Sequence, residues 1–292
     1  MLTTNLKGGL GNQMFQYATG RALAEKTGQT LLLDISGYSD PRAVNSDTPR
    51  TFDLGVFNIK AEIATSKQIR QIKYPLGIFS KILRKINKKI LRRYYRDYHP
   101  KLLKNLAKKK NIYLDGFFQS QKNFKEIRQK LLEELSLKES GKNSIVQEFA
   151  EKIGNSNSIS IHIRRGDYAN DPKTKNYHGL IPLSYYEKAI STIKQKNENP
   201  VFYIFTDDIS WAKENLKMEY QTIFVSGNDF TPQQEIYLMS KCQHNIIANS
   251  SFSWWGAWLN TNPKKIIIAP KKWTKTTTKV HPNIVPKSWI KI

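Results

Sequence analysis

Cysteine is almost absent from this chain, with Cys242 standing alone among 292 residues. An internal disulfide is therefore excluded, and so is a metal site built on several thiolates. The usage fits a reducing compartment. Long apolar runs are missing too. No stretch approaches the roughly 20 apolar residues of a membrane-spanning helix, and Met1-Leu-Thr-Thr-Asn-Leu-Lys7 lacks the apolar centre of a secretory signal. These absences lead to the expectation of a cytoplasmic protein. Acidic residues are scarce beside basic ones, 24 against 47, which leaves a net charge of +23. That imbalance suits an anionic partner: nucleic acid, a membrane surface or a phosphorylated small molecule. It does not choose among them.

What is present is an ordinary globular supply of apolar residues, 39% of the chain, enough to bury a core and to exclude global disorder. Thr3 to Leu6 reads as a first strand leading into Gly8-Gly-Leu-Gly-Asn12, and a helix follows over Gln13 to Lys26. Leu31 to Ile35 and Ile112 to Asp115 read as strands, and the Asp-, Pro- and Ser-rich segment 37–57 as a long loop. Apolar residues at helical spacing, interleaved with lysine and arginine, predict a basic amphipathic helix over 78–96. Its ordinary role is to pack on a core with a solvated basic face; a more pointed one is contact with an anionic membrane. Later in the chain, Ile- and Val-rich strands at Ser158 to Ile163, Val201 to Thr206, Thr222 to Val225, Asn245 to Ala248 and Lys265 to Ala269 alternate with helices. Such alternation predicts an α/β fold with a doubly wound parallel sheet. Polar turns on either side of a short helix place a domain boundary near residue 150, giving domains 1–150 and 151–292.

In a doubly wound sheet, ligands bind beyond the carboxyl ends of the strands. Three polar clusters sit there. In His162-Ile-Arg-Arg-Gly-Asp167, Arg164 and Arg165 can offer planar forks to phosphate oxygens. The everyday alternatives are an ion pair of an arginine with Asp167 and a satisfied core histidine at His162. In Asn249-Ser250-Ser251-Phe252-Ser253, hydroxyls and amides at a helix start form an anion site, or a plain helix cap. Asp207-Asp208 suits a metal, helix capping or pairing with nearby arginines; the expectation is no metal. The Gly8 to Gln13 loop, with Gly9, Gly11 and Asn12, lacks the spacing of a dinucleotide fingerprint and the lysine of a P-loop.

Together the segments Gly8-Gly-Leu-Gly-Asn-Gln-Met-Phe-Gln-Tyr-Ala18, Gly116-Phe-Phe-Gln-Ser120, His162 to Tyr168, Phe205-Thr-Asp-Asp208 and His244 to Leu259 resemble the bacterial α-1,2-fucosyltransferases of glycosyltransferase family 11. The resemblance implies a GT-B-like fold, two Rossmann-like domains facing a cleft. It implies an inverting, metal-independent transfer of L-fucose from GDP-fucose to the 2-hydroxyl of a galactose-terminated glycan, lipid-linked in the case of an O-antigen, with no cofactor. By position it makes Arg164 the β-phosphate ligand, with Arg165 sharing that charge or locking Asp167. His162 would lie against the nucleoside, Asn249, Ser250, Ser251 and Phe252 would line the phosphate and base pocket, and Glu235 would accept hydrogen bonds from guanine. Asn12, in a loop with Gly9 and Gly11, would face the sugar from the other domain. The general base stays open among Asp34, Asp40, Asp167 and a phosphate oxygen of the departing GDP. The competing class is a basic nucleic-acid- or membrane-surface-binding protein without catalysis, but the chain carries no nucleic-acid-binding signature. Location on the inner face of a bacterial membrane would suit the charge.

Overall fold

The computed structural model describes residues 1–39, 49–74, 79, 94–96, 106, 109, 111–275 and 283–292. They form two compact units, Met1–Leu135 and Ser136–Ile292. The sequence-based boundary at residue 150 falls inside a helix, Ser144–Gly154, of the second unit. Among the described residues no helix is long and apolar enough to cross a membrane.

The first unit is a five-stranded parallel sheet, β1 (Leu2–Asn5), β2 (Leu31–Asp34), β3 (Glu62–Ile63), β4 (Tyr94–Arg96) and β5 (Ile112–Asp115), in the order β3-β2-β1-β5-β4. Its helices are α1 (Leu10–Thr27), α2 (Ser66–Lys73) and α3 (Arg128–Glu134). Helix α1 is buried along most of its length because it lies directly on β1. The approach is so close that a Cβ on Gly20 would sit 2.3 Å from the Thr4 hydroxyl, so only glycine fits there. Helix α2 is polar but has a complete capping box, the Thr65 hydroxyl accepting from the Gln68 amide and the Gln68 side chain accepting from Thr65 N–H.

The predicted basic helix 78–96 needs correction at its end. Tyr94 to Arg96 is a strand, paired in parallel with Tyr113 to Asp115. A Tyr-Tyr pair favours the extended chain, and the edge of β5 supplies hydrogen-bond partners for it. Residues 75–78 and 80–93, the body of that segment, lie outside the described residues, as does Asp40.

The second unit holds a six-stranded parallel sheet, β6 (Ser158–Ile163), β7 (Val201–Thr206), β8 (Thr222–Phe224), β9 (His244–Ile246), β10 (Ile267–Ala269) and β11 (Ile290–Lys291), in the order β11-β10-β9-β6-β7-β8. The chain winds outward from β6 through β7 to β8, then returns to the other side of β6 for β9, β10 and β11. The switch point therefore falls between β6 and β9. Around the sheet run α4 (Ser144–Gly154), α5 (Gly166–Asn170), α6 (Pro172–His178), α7 (Leu183–Lys194), α8 (Ile209–Asn215), α9 (Pro232–Lys241) and α10 (Ser251–Leu259). Strand β6 is buried throughout, and Ile159, Ile161 and Ile163 pack with Phe202, Ile204, Tyr186 and Ile193. Its alternate residues Ser158, Ser160 and His162 are buried as well, so both faces of the strand are covered. Under α10, Trp254 and Trp255 are fully buried in edge-to-face contact, and the Trp254 indole N–H donates to the Ile284 carbonyl at 2.7 Å. That satisfied polar handle lets a large apolar surface go inside.

Candidate nucleotide site

Beside the switch point of the second unit, the residues after β6 meet those after β7. Ile163 and Thr206 are register partners, so Arg164 and Asp207 are the first residues beyond two neighbouring strands. The Arg164 guanidinium lies 2.9 Å from Asp207 Oδ2 and faces the Tyr168 ring at 5.4 Å. The Arg165 backbone N–H donates to Asp207 Oδ1 at 2.7 Å, while its side chain pairs with Asp208 at 3.2 Å and stacks on Trp211 at 3.9 Å. The described partners of the Arg165 side chain are thus Asp208 and Trp211. Parallel pairing of β6 with β7 brings Asp208 to Arg165. Asp167 is placed in α5, and its side chain lies outside the described atoms.

Glu235, in the first turn of α9, joins this cluster through Ser226. The Ser226 hydroxyl accepts from Thr206 N–H at 2.9 Å and donates to Glu235 Oε1 at 2.6 Å. Burial pushes the Glu235 carboxyl up to about 7; the Ser226 bond opposes the rise and the Asp207 charge adds to it. His162 is buried on β6. Burial, with Arg164 beside it, pushes its imidazole down to about 3, so it is neutral at physiological pH. Its ring lies 5.5 Å from that of Phe252, and its Nδ1 is buried with no hydrogen-bond partner among the described residues. A buried polar atom left unmatched costs free energy and points to a missing partner.

Beyond β9 the roles divide. The Asn249 side-chain amide donates to the carbonyls of His178, Gly179 and Trp273 at 3.1 to 3.3 Å. It staples the end of α6 and the Trp273 segment to the switch point, while its Oδ1 is buried without a partner among the described residues. Ser250 is the N-cap of α10, accepting from Phe252 N–H at 3.3 Å. Ser251 and Phe252, half-buried, open that helix.

The first unit has its own switch point, between β1 and β5. Gly8 takes φ +78°, and a Cβ there would stand 2.8 Å from the Asn12 amide nitrogen, so glycine is required for the turn. Gly9 is the N-cap of α1, and Gly11 and Asn12 lie in its first turn. Gln119, after β5, donates to Asn12 Oδ1 at 2.8 Å. Gln13 donates to the Gly8 and Thr51 carbonyls, and Gln16 exchanges two bonds with the Lys7 backbone. Asp34 is fully buried and saturated. Its carboxylate accepts from Ser36 N–H and Oγ, Lys73 Nζ and the Tyr113 hydroxyl. Burial acts to raise its carboxyl, but those donors hold it below the ordinary aspartate value. A saturated, ionised carboxylate of that kind is a structural anchor, which removes Asp34 from the candidate bases.

Among the described residues, no group of three or more His, Cys, Asp or Glu is arranged to hold a metal ion. Asp207 and Asp208 face arginines instead. Sequence patterns missed Ser226 and Trp211, which are brought in by strand adjacency, and gave no role to Tyr168 and Gln119 within the matching segments.

A sequence model described as Glycosyl transferase family 11 matches residues 59–292. The chain belongs to this family. It is thus a glycosyltransferase. An O-antigen biosynthesis glycosyltransferase of Escherichia coli, WbnK, is 36% identical over 310 residues, covering 98% of this chain and 99% of that one. An alpha-1,2-colitosyltransferase of E. coli is 34% identical over 302 residues, covering 100% and 99%. In fold, the enzyme is similar to NodZ alpha-1,6-fucosyltransferase from Bradyrhizobium, solved after soaking with GDP-fucose: TM-score 0.53, 14% identity, 88% of this chain and 91% of that one. FUT1 of Arabidopsis thaliana, solved with GDP, gives TM-score 0.54 at 14% identity, over 94% and 71%. The GT-B-like expectation of two Rossmann-like parallel-sheet units is met by the fold.

Proposed function

We propose that this family 11 enzyme transfers L-fucose from GDP-β-L-fucose to the 2-hydroxyl of a galactose-terminated glycan, with inversion and without a metal or other cofactor. The observation that carries the proposal is Arg164, held beside the switch point of a parallel sheet in one cluster with the half-buried carboxyl of Glu235. Arg164 would bind the β-phosphate, Glu235 the guanine N–H groups, and His162 with Phe252 the nucleoside; Ser251 and the start of α10 would serve the phosphates. Arg165, already committed to Asp208 and Trp211, would add positive potential. In the first unit Asn12 would hydrogen-bond the sugar.

Chemistry follows from where charge develops. As the bond from fucose to the diphosphate stretches, the ring becomes oxocarbenium-like and negative charge grows on the β-phosphate. A fixed guanidinium binds that charge better in the transition state than in the ground state, so it lowers the barrier. The acceptor hydroxyl loses its proton late in such a reaction. A departing phosphate oxygen can take it, with Asp40 and Asp167 the remaining carboxylate candidates. Pairing of Asp207 and Asp208 with arginines supports the metal-free proposal, since neither is left as an open metal ligand.

The relatives sharpen the donor question. Colitose lacks the 3-hydroxyl of fucose, and a pocket that hydrogen-bonds that hydroxyl rejects the analogue by up to roughly 10⁴-fold. Turnover should therefore be compared with GDP-fucose, GDP-colitose and GDP-mannose on galactose-terminated acceptors, with the product linkage determined. Preference for GDP-fucose and an α-1,2 product is expected; a GDP-colitose preference would transfer the assignment to that sugar. The O-antigen relative supports a lipid-linked acceptor, for which the +23 charge would favour an anionic membrane surface. Absence of binding to anionic vesicles at low salt would remove that element.

A further inference from the structure

We propose that Asp207 is the positioning residue of the phosphate clamp, acting through Arg164 and through the Arg164–Gly166 turn. The inference rests on the reading of Arg164 as the diphosphate ligand and extends it to a residue that need not touch the donor.

Three contacts converge on one carboxylate. Oδ2 holds the Arg164 guanidinium at 2.9 Å, and Oδ1 accepts from the Arg165 backbone N–H at 2.7 Å. Gly166 closes over the same group, so that a Cβ there would stand 2.6 Å from Oδ2 and 3.1 Å from Cγ. The carboxylate thus fixes both the side chain of Arg164 and the backbone that carries it. The ordinary role for an acid after a strand is capping of the next helix, and here Asp208 fills it. Asp208 accepts from Trp211 N–H at the start of α8 and also takes the Arg165 side chain. Asp207 is left to Arg164 and the turn. Arg164 and Asp207 are each only about a quarter exposed, 24% and 26%, so solvent screens the pair less than a surface bridge.

An arginine loses considerable side-chain freedom when it is fixed. Holding it in place before the donor arrives spares the reaction that ordering cost, and positioning of this kind is worth most in the transition state. Asp207→Asn keeps the shape and an acceptor for the Arg165 amide but removes the charge. Gly166→Ala pushes the same carboxylate from the opposite side.

The test is a double-mutant cycle on kcat with GDP-fucose: wild type, Arg164→Ala, Asp207→Asn and the double variant, with the same cycle for Gly166→Ala. A residue that acts through Arg164 loses its effect when Arg164 is absent. Asp207→Asn should lower kcat roughly 10- to 100-fold in the wild-type background, the range for a charge-assisted contact, and less than about threefold in the Arg164→Ala background. Gly166→Ala should behave alike and carries the test if Asp207→Asn does not fold. Equal factors in both backgrounds would overturn the inference while leaving the role of Arg164 intact. An Arg164→Ala enzyme with normal turnover would overturn both.

Discussion

The two units of this enzyme repeat one architecture but equip their switch points differently. In the first unit the groups around the β1–β5 junction are mostly amides, Asn12, Gln13, Gln16 and Gln119, bonded to one another or to loop backbone, with one ion pair, Lys7 to Asp115, between the strand ends. Its buried carboxylates are satisfied: Asp34 has every acceptor position filled, and Glu134 pairs with Arg21. In the second unit the ends of β6 and β7 bring together two arginines and two aspartates, with a glutamate raised to about 7 joined through Ser226. Beside them stand a neutral buried histidine and the Asn249 oxygen, which has no partner among the described residues. Perturbed and unmatched groups mark functional sites more often than satisfied ones do. On the proposed reading, the anionic, charge-developing part of the reaction belongs to the second unit, and the first contributes hydrogen bonds from its amides.

Asp34 offers the largest way to break this contrast. Asp34→Ala removes the buried carboxylate on which Ser36, Lys73 and Tyr113 converge, and melting should show a loss of about 3–5 kcal/mol. Its depressed carboxyl contributes stability at pH values above the unfolded aspartate value, and that contribution is lost as pH falls through the lower folded value. At neutral pH the destabilisation should therefore be complete. Turnover per folded molecule should hold; a folded but inactive variant would return Asp34 to the catalytic list.

Glu235 sharpens the other side. Because its folded pKa is raised, it stabilises the folded chain fully below the ordinary glutamate value, and this is lost as pH rises through about 7. Glu235→Gln should consequently raise the melting temperature of the ligand-free enzyme at pH 8, by an amount that vanishes toward pH 5. The same change should weaken GDP binding roughly 10- to 100-fold, as expected for hydrogen bonds to a charged acceptor. For the wild type, GDP affinity should rise as pH increases through about 7. Calorimetry showing pH-independent affinity would detach Glu235 from guanine.

The smallest effect belongs to Asn12. A neutral amide contributes about 1 kcal/mol, so Asn12→Ala should lower kcat/KM roughly five- to tenfold and leave GDP affinity unchanged. A loss as large as that of an arginine would dissolve the division between the units.

Much of this was legible in the chain itself. Strands β6 and β7 match their sequence-based bounds: Val201 to Phe205 is an unbroken apolar run, and Ser158–Ile163 places an isoleucine at every second position. Short edge strands such as β3 and β11 span two residues each, too few to carry a period. Helix α2 was missed for lack of an apolar face, although Thr65-Ser-Lys-Gln68 spells a capping box. Segment 171–180 reads as a loop in sequence but contains helix α6. Among the candidate site residues, Arg164 and His162 were visible by type and position, and Glu235 only through the family resemblance. The partners of the arginines were not, because a 43-residue separation between Arg165 and Asp208 becomes contact only once β6 and β7 are known to be neighbours.

The central claim is that Arg164 binds charge that appears as the donor bond breaks. Its most direct test is the kcat of Arg164→Ala at saturating GDP-fucose, measured beside the donor KM on a variant shown to be folded. Loss of a donor to a developing oxyanion predicts a fall of roughly 10²–10³-fold in kcat, with a much smaller change in KM. A variant that turns over at the wild-type rate, or one in which KM alone rises, would contradict it.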